Sequence, residues 1–247
     1  SDLLSHVMGQ AKAGQVWVDG YSDANLLNIS VAGGRFANVG DVDGAIRMDV
    51  SDNGQVIFAT GGANFDLRAG SQIMLHGDNI RVGFDGASSG NAVLRLNQDS
   101  ALGFDAGDDG RMGRISEFVS GAFGNSPNVQ SGVNLGSAQL YLDLNGMVAG
   151  SHVLIAVDEI MGSFGGFSAA GLGSARDATI LVDYTADQVV LQLGAEGAGS
   201  GRLDLVTNGN QSDFATTNAA LWQALTDGHG SYAQPSTTEA ALAWDWI

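Results

Sequence analysis

One short segment of the sequence carries the side chains that a polysaccharide-cleaving site needs. Asp105, Asp108, Asp109 and Arg111 lie in the stretch DAGDDGR, and Arg114 follows. Clustered carboxylates beside a basic group can provide general acid and base catalysis at a glycosidic bond. Asp and Gly also favour solvated turns. A turn is the favoured interpretation, because a chain so rich in Asp contains such clusters by chance.

Calcium binding is a second chemistry, and the stretch GGANFDLRA shows its best motif. The repeat of secreted calcium-binding proteins reads Gly-Gly-x-Gly-x-Asp-x-apolar-x. Gly61, Gly62 and Asp66 match it, whereas Asn64 replaces the third glycine and Arg68 the apolar residue. Such sites share each ion between tandem coils, and no second copy follows. A structural turn is therefore favoured here too.

Three further carboxylates are weaker calcium candidates. The stretch DVSDNG begins at Asp49 and matches the first half of an EF-hand loop, but Thr60 stands where the loop needs a bidentate Glu. The stretch DVDG adds Asp41 and Asp43. Calcium is therefore an open expectation, with ligands drawn from these residues and Asp66, and no other cofactor is predicted.

Histidine and cysteine give little support to other site chemistry. His6, His76, His152 and His229 are far apart, and none forms the i, i+4 pair of a helical zinc site. The chain has no cysteine, which excludes disulfides and thiolate metal sites.

The composition favours many tight turns and an acidic surface. The 247 residues include 37 Gly and only 2 Pro, and the formal net charge is −17. Such a charge repels nucleic acid and anionic membranes and attracts cations or basic partners. No apolar run is long enough to insert into a membrane as a helix. The N-terminal residues lack the basic start and apolar stretch of a signal peptide.

The elements that must position these side chains are short strands. From Gln15 onward the apolar residues alternate with polar ones, in segments about ten residues apart that Gly, Asp and Asn separate. No helical pattern lies between them, which argues against a βαβ fold. The alternation directs one set of side chains inward and the other outward: Phe65, Leu67, Ile73 and Leu75 inward, and Asp66, Arg68, Met74 and His76 outward.

Even spacing and few two-residue hairpin loops favour a parallel β-solenoid over an antiparallel β-sandwich. Residues 1–14 are predicted to form a helix or arm, residues 15–194 the solenoid, and residues 195–247 a linker with a helical cap or docking segment. Trp244 and Trp246 end that segment. They are expected to dock on their own domain or on a neighbouring subunit, because open solenoid ends must be covered.

The stretch from Gln139 to Gly194 resembles the last coils of autotransporter-type passenger domains. The resemblance rests on Gly-x-x-x-Leu-Ile-x-Val at 150–157, Gly-Ser-Phe at 162–164 and Tyr-Thr-x-x-x-Val-x-Leu-x-Leu at 184–193. It implies a right-handed parallel β-helix on a bacterial surface or outside the cell. It covers about a quarter of the chain well, and no membrane-spanning barrel pattern follows residue 194.

These observations favour a non-catalytic extracellular or cell-surface protein of bacteria, either adhesive or a self-assembling structural subunit. The expected partners are further copies of the chain at the solenoid ends, or a glycan. A lyase or hydrolase acting on polysaccharides remains the alternative, as does a carbohydrate-binding module. Neither nucleic-acid binding nor membrane insertion is expected.

Overall fold

The computed structural model describes most of the first 209 residues. The chain divides into two compact units, Ser1–Thr216 and Thr217–Ile247. The described residues all belong to the first unit, so the predicted helices at 1–14 and toward the C-terminus lie outside them. The described ranges are 15–18, 21–33, 35–38, 42–57, 64–77, 81–85, 90–107, 110–118, 129–173 and 175–209.

The described residues form strands and turns and no helix. In this part of the chain, accordingly, no helix has the length and apolar character needed to cross a membrane. The strands are β1 Gln15–Val18, β2 Tyr21–Ala32, β3 Arg35–Asn38, β4 Val42–Ser51, β5 Gln55–Ile57, β6 Asn64–Leu67, β7 Gln72–His76, β8 Arg81–Asp85, β9 Gly90–Arg95, β10 Ala101–Asp105, β11 Arg114–Phe118, β12 Val129–Asn134, β13 Gln139–Asp143, β14 Gly150–Ala156, β15 Glu159–Met161, β16 Gly166–Ala170, β17 Ala178–Asp183, β18 Gln188–Leu193 and β19 Leu203–Asn208.

The sequence alternation sets which face of each strand is buried. In β7, Ile73 and Leu75 are fully buried, while Gln72, Met74 and His76 between them are half-buried. Phe65 and Leu67 are buried in the same way. The predicted inward positions are thus confirmed, as a strand with period-two polarity requires.

Three sets of parallel strands run through the described residues. What we name the first ladder pairs β1, β3, β5, β8, β11 and β14 in that order. The second ladder pairs the start of β2, the start of β4, then β6, β9, β12 and β15. The third ladder pairs the end of β2, the end of β4, then β7, β10, β13 and β16. Successive strands of the chain therefore enter the three ladders in turn.

Parallel pairing argues against the antiparallel sandwich that the sequence leaves open. An antiparallel sandwich joins neighbouring strands by hairpins, whereas each ladder here joins strands that are separated in the chain by strands of the other two ladders. The described protein is all-β with parallel sheets. Its inward side chains form one continuous apolar core, which includes Phe65, Leu102, Phe104, Ile115 and Leu140.

The parallel order of the first ladder ends at β14. There β18 pairs with β14 in the antiparallel sense, β17 pairs with β18 likewise, and β19 lies parallel to β17. The sheet thus continues to Asn208. The predicted end of the strand region at residue 194 is therefore wrong, because β19 lies in the segment that was expected to be a linker. Leu203 and Leu205 of β19 pack against the core. These two leucines are two residues apart in the sequence, as in a strand with one buried face. The Gly-rich stretch before them makes this pattern hard to recognise.

The turns that follow two neighbouring strands of the second ladder, β9 and β12, touch one another at backbone distance. Gly136, with φ of 52°, follows β12, and a Cβ atom there would lie 1.9 Å from the carbonyl oxygen of Leu96. The amide of Leu96 in turn donates to the carbonyl of Asn134 at 2.9 Å. Only glycine tolerates both the positive φ and the contact.

Candidate functional site

His76 lies between two carboxylates on the outward face of the third ladder. Its Nε2 is 2.9 Å from Oδ1 of Asp49, and its Nδ1 binds Oδ2 of Asp105. The three side chains are 30%, 34% and 29% exposed. They come from β4, β7 and β10, so the cluster links three successive strands of the ladder.

Strand register brings these residues together. His76 lies directly opposite Asp105, and Asp49 lies opposite Met74, one outward position earlier. Asp143 of β13 continues the His76–Asp105 row on the other side. Because outward positions recur at every second residue, the side chains of neighbouring strands meet on one face.

The surroundings of His76 favour its charged form. The hydrogen bond to Asp105 raises the pKa of His76, and the negative charges of Asp105 and Asp49 raise it further. Partial burial acts in the opposite direction, and the pKa is raised on balance. An imidazolium can donate from both ring nitrogens, which a neutral imidazole cannot.

When His76 is protonated, it can hold the strands of Asp49 and Asp105 together by donating a hydrogen bond to each carboxylate. Both ring nitrogens of His76 already bind carboxylates, so a substrate would have to displace one of them to reach the imidazole. A general base also needs a pKa near the working pH and an accessible lone pair. The geometry supports a contribution to stability more directly than catalysis.

We expect stability to fall at alkaline pH because of this cluster. The pKa of His76 is higher in the folded chain than in the unfolded chain. Its contribution is therefore fully present below the unfolded pKa of about 6.5 and is lost as the pH rises through the folded value. Replacing His76 by Gln should remove this step and cost about 1 kcal/mol at neutral pH, a small value because the side chains are partly exposed. Urea unfolding from about pH 6 to about pH 9 measures it.

His152→Gln is the matched control for this prediction. His152 lies near the surface, and its Nε2 contacts the carbonyl oxygen of Val148 at 3.0 Å. This variant should retain the pH-dependent step of the wild type. An unchanged step in His76→Gln would contradict the assignment to His76.

The predicted catalytic group is only partly assembled by the described residues. Asp105 joins the His76 cluster, whereas Asp108 and Asp109 lie outside the described residues. Arg111 is exposed, and its carbonyl accepts a hydrogen bond from the amide of Gly107 at 2.8 Å. Asp105 binds Nδ1 of His76.

The calcium candidates have separate surroundings. Asp66 on β6 receives a hydrogen bond from Arg95 Nη1 at 2.8 Å across the second ladder, and Asp49 binds His76. Asp41 lies outside the described residues, and for Asp43 the structure describes the backbone alone. In the described part of the chain, no three His, Cys, Asp or Glu side chains are grouped as a metal site. Calcium binding remains a prediction.

Two polar side chains hold the C-terminal strands in place. Arg176 is 5% exposed, and its guanidinium donates from Nε to the carbonyl of Gly194 and from Nη2 to that of Met147, each at 2.8 Å. Oδ1 of Asp177 accepts from the amides of Arg202 and Ser200 at 2.9 and 2.7 Å. These two amides, that of Arg202 foremost, lower the pKa of Asp177.

The turn between β17 and β18 covers the end of the second ladder. Asp187 accepts a hydrogen bond from the amide of Ile160 in β15 at 2.9 Å. The hydroxyl of Tyr184 donates to the carbonyl of Gly162, just after that strand, and partial burial raises the pKa of Tyr184. Backbone groups at this edge are thus paired by side chains of the same chain, which protects against addition of a foreign strand.

Comparison with family models, curated proteins and solved structures found no match. Asp49 and Asp105 were recognised in the sequence for two different chemistries, while His76, which joins them, was recognised only as an outward residue. His76 could be found from the sequence by aligning the outward positions of neighbouring strands of the ladder. The connections between these strands differ in length, and this hides the alignment.

Proposed function

We propose that the chain winds as a right-handed parallel β-solenoid and acts as a non-catalytic structural or adhesive protein on a bacterial surface or outside the cell. Strands that return to the same ladder after each circuit support the solenoid. The right hand follows the strong preference of parallel strand–connection–strand units. The resemblance of residues 139–194 to autotransporter-type passenger domains supports the same winding and location.

The observation that carries the proposed role is how outward polar side chains are used. They bind one another between successive circuits: Asp49 and Asp105 bind His76, and Asp66 binds Arg95. Contacts of this kind fasten neighbouring repeats, from which a repeat protein derives much of its stability. These contacts favour the interpretation of the protein as a scaffold that presents its outer surface to partners.

Sedimentation velocity and negative-stain imaging of the purified chain, with calcium and with a chelator, test the self-assembling form of this role. We expect concentration-dependent assemblies whose units stack along one direction. A monodisperse monomer under every condition would contradict a structural-subunit role and leave the adhesive form. Adhesion is then measured by binding to intact bacterial cells and to immobilised glycans.

A polysaccharide-active enzyme is the second candidate, favoured by carboxylates next to an imidazole on one lateral face. Asp105, His76 and the in-register Asp143 lie on three adjacent strands of the third ladder. Paired carboxylates with different environments can divide the roles of acid and base. Here Asp105 binds His76, while Asp143 accepts from the amide of its neighbour Asn145 at 3.0 Å.

A screen on acidic and neutral glycans tests this alternative. If the wild type releases product, Asp105→Asn should lower kcat by at least about 100-fold, as expected for loss of an acid–base group. Asp66→Asn, which alters a carboxylate on the second ladder, should leave the rate unchanged. A wild type that releases no product from any glycan would remove the enzyme candidate.

Glycan binding without turnover is the third candidate. Tyr141 is half-buried on the same outward face, in register between Gly103 and Ser168. An aromatic ring with polar neighbours offers both an apolar surface and hydrogen bonds. A glycan array that gives no binding would contradict this candidate.

A further inference from the structure

The third ladder begins and ends with strands of unusual outward composition. Each of the four strands between them, β4, β7, β10 and β13, carries at least one ionisable outward side chain, among them Asp49, His76, Asp105 and Asp143. The two terminal strands carry small uncharged residues at the corresponding positions. These are Asn28, Ser30 and Ala32 in β2, and Gly166, Ser168 and Ala170 in β16.

The other ladder ends near β16 are protected. Asp187 and Tyr184 pair backbone groups at the edge of β15, and the antiparallel strand β18 covers β14. Within the described residues, β16 shares strand hydrogen bonds with β13 alone and β2 with β4 alone, and β19 lies close to part of β16 without pairing with it. Proteins normally guard a free edge with charge, proline or a bulge, and residues 166–170 contain none of these.

The two terminal strands match one another as consecutive members of a ladder. If the register of the third ladder is continued from one copy to the next, Ser168 lies opposite Ser30. The two residues belong to one row of the ladder, which runs Ser30, Asp49, Met74, Gly103, Tyr141 and Ser168. The inward residues Phe167 and Ile29 then also face each other. Both are half-buried against the core, so each end leaves an apolar side chain incompletely covered.

Charge favours association at these ends over association elsewhere. The chain carries a formal net charge of −17, so most surfaces of two copies repel each other. The terminal strands of the third ladder carry no charged side chain at residues 28–32 or 166–170. Two copies can meet there without placing like charges opposite one another.

We propose that β16 of one copy pairs in parallel with β2 of a second copy, so that the third ladder continues from molecule to molecule. The inference rests on the proposed structural role and specifies the surface that carries it. Different surfaces of the two copies meet, and each added copy presents a new free β16, so the contact does not close on itself. The product is a head-to-tail polymer with two distinguishable ends.

Ala169→Pro tests whether the outer edge of β16 takes part in the growth of the polymer. The carbonyl of Ala170 accepts from the amide of Leu144 on the β13 side. Because adjacent residues in a strand direct their backbone groups to opposite sides, the amide of Ala169 points to the free edge. Proline there removes one donor from the joint and leaves the pairing with β13 intact.

The variant alone should remain monomeric, with the circular dichroism and thermal midpoint of the wild type. Because its β2 is intact, it should still add to a free β16 and stop growth there. One part of Ala169→Pro in about ten parts of wild type should therefore shorten the polymers seen by negative stain. Ser168→Ala, which leaves every amide in place, is the control and should assemble like the wild type.

The outcomes separate the two proposals. The proposed joint would be overturned if Ala169→Pro assembled like the wild type, or if polymers formed from the mixture of the two were as long as those of the wild type alone. Either result would leave the structural role unaffected. A wild type that never assembles would overturn the self-assembling role and the joint with it.

A charge pair at the joint gives an independent test if Ala169→Pro alters the fold. Ser30 and Ser168 are both exposed. The variant Ser30→Lys with Ser168→Lys places like charges opposite each other and should raise the critical concentration about fivefold, although it reduces the net charge. The variant Ser30→Lys with Ser168→Asp should assemble at or below the wild-type concentration. Equal critical concentrations for the two variants would overturn the joint.

Discussion

Gly136→Ala is expected to destabilise the protein by at least about 3 kcal/mol, a large loss for a single methyl group. The added Cβ would lie 1.9 Å from the carbonyl oxygen and 2.5 Å from the carbonyl carbon of Leu96. Both atoms are backbone, so the two turns must separate. The φ of 52° adds strain for any residue with a Cβ. Urea unfolding followed by circular dichroism measures the loss.

Gly146→Ala separates crowding from backbone strain. Gly146 has φ of 78°, and a Cβ there would meet no atom within 4 Å. This control should cost about 1 kcal/mol, from the positive φ alone. Equal losses for the two variants would contradict the close contact between the turns at Gly136 and Leu96.

Arg176→Met is expected to cost about 2 to 4 kcal/mol. Methionine retains much of the side-chain length but leaves the carbonyls of Gly194 and Met147 without their charged donor. These carbonyls belong to the end of β18 and to the turn before β14. The loss should therefore loosen the antiparallel strands first, and hydrogen exchange of the β17 and β18 amides should rise before that of β10.

Arg114→Met makes the same chemical change at an exposed position of β11. Its cost should stay within about 0.5 kcal/mol, as for most surface substitutions. If Arg176→Met unfolds at the same urea concentration as Arg114→Met, the buried guanidinium does not hold these strands.

The sequence predicts the described fold well wherever alternation is strict. In β7, buried Ile73 and Leu75 alternate with half-buried Gln72, Met74 and His76, because a strand has only two faces. The parallel arrangement was also predicted, from even spacing and few hairpin loops. The antiparallel reversal at β14 and the strand β19 were not. Both features depend on which strand a segment pairs with after its turn. The alternation of apolar and polar residues shows that a segment is a strand, but it does not identify the strand with which it pairs.

The candidate site was predictable only in parts. Asp49 and Asp105 were recognised separately, as a calcium ligand and as a catalytic acid. Their union through His76 depends on register across three strands, and the connections between those strands differ in length. Arg47, Gln72 and Ala101 occupy one row of the ladder but are unevenly spaced in the sequence. A periodic search therefore does not align them.

The reversal at β14 also has a consequence for the order in which the chain can fold as it emerges from a ribosome or a secretion pore. Each strand of the three ladders after β1 and β2 pairs with a strand that precedes it, so a template is already present when the new strand arrives. By contrast, β14 also pairs with β18, which follows it, and the amide of Ile160 in β15 donates to Asp187. These contacts of β14 and β15 therefore form only after the chain has emerged through residue 193.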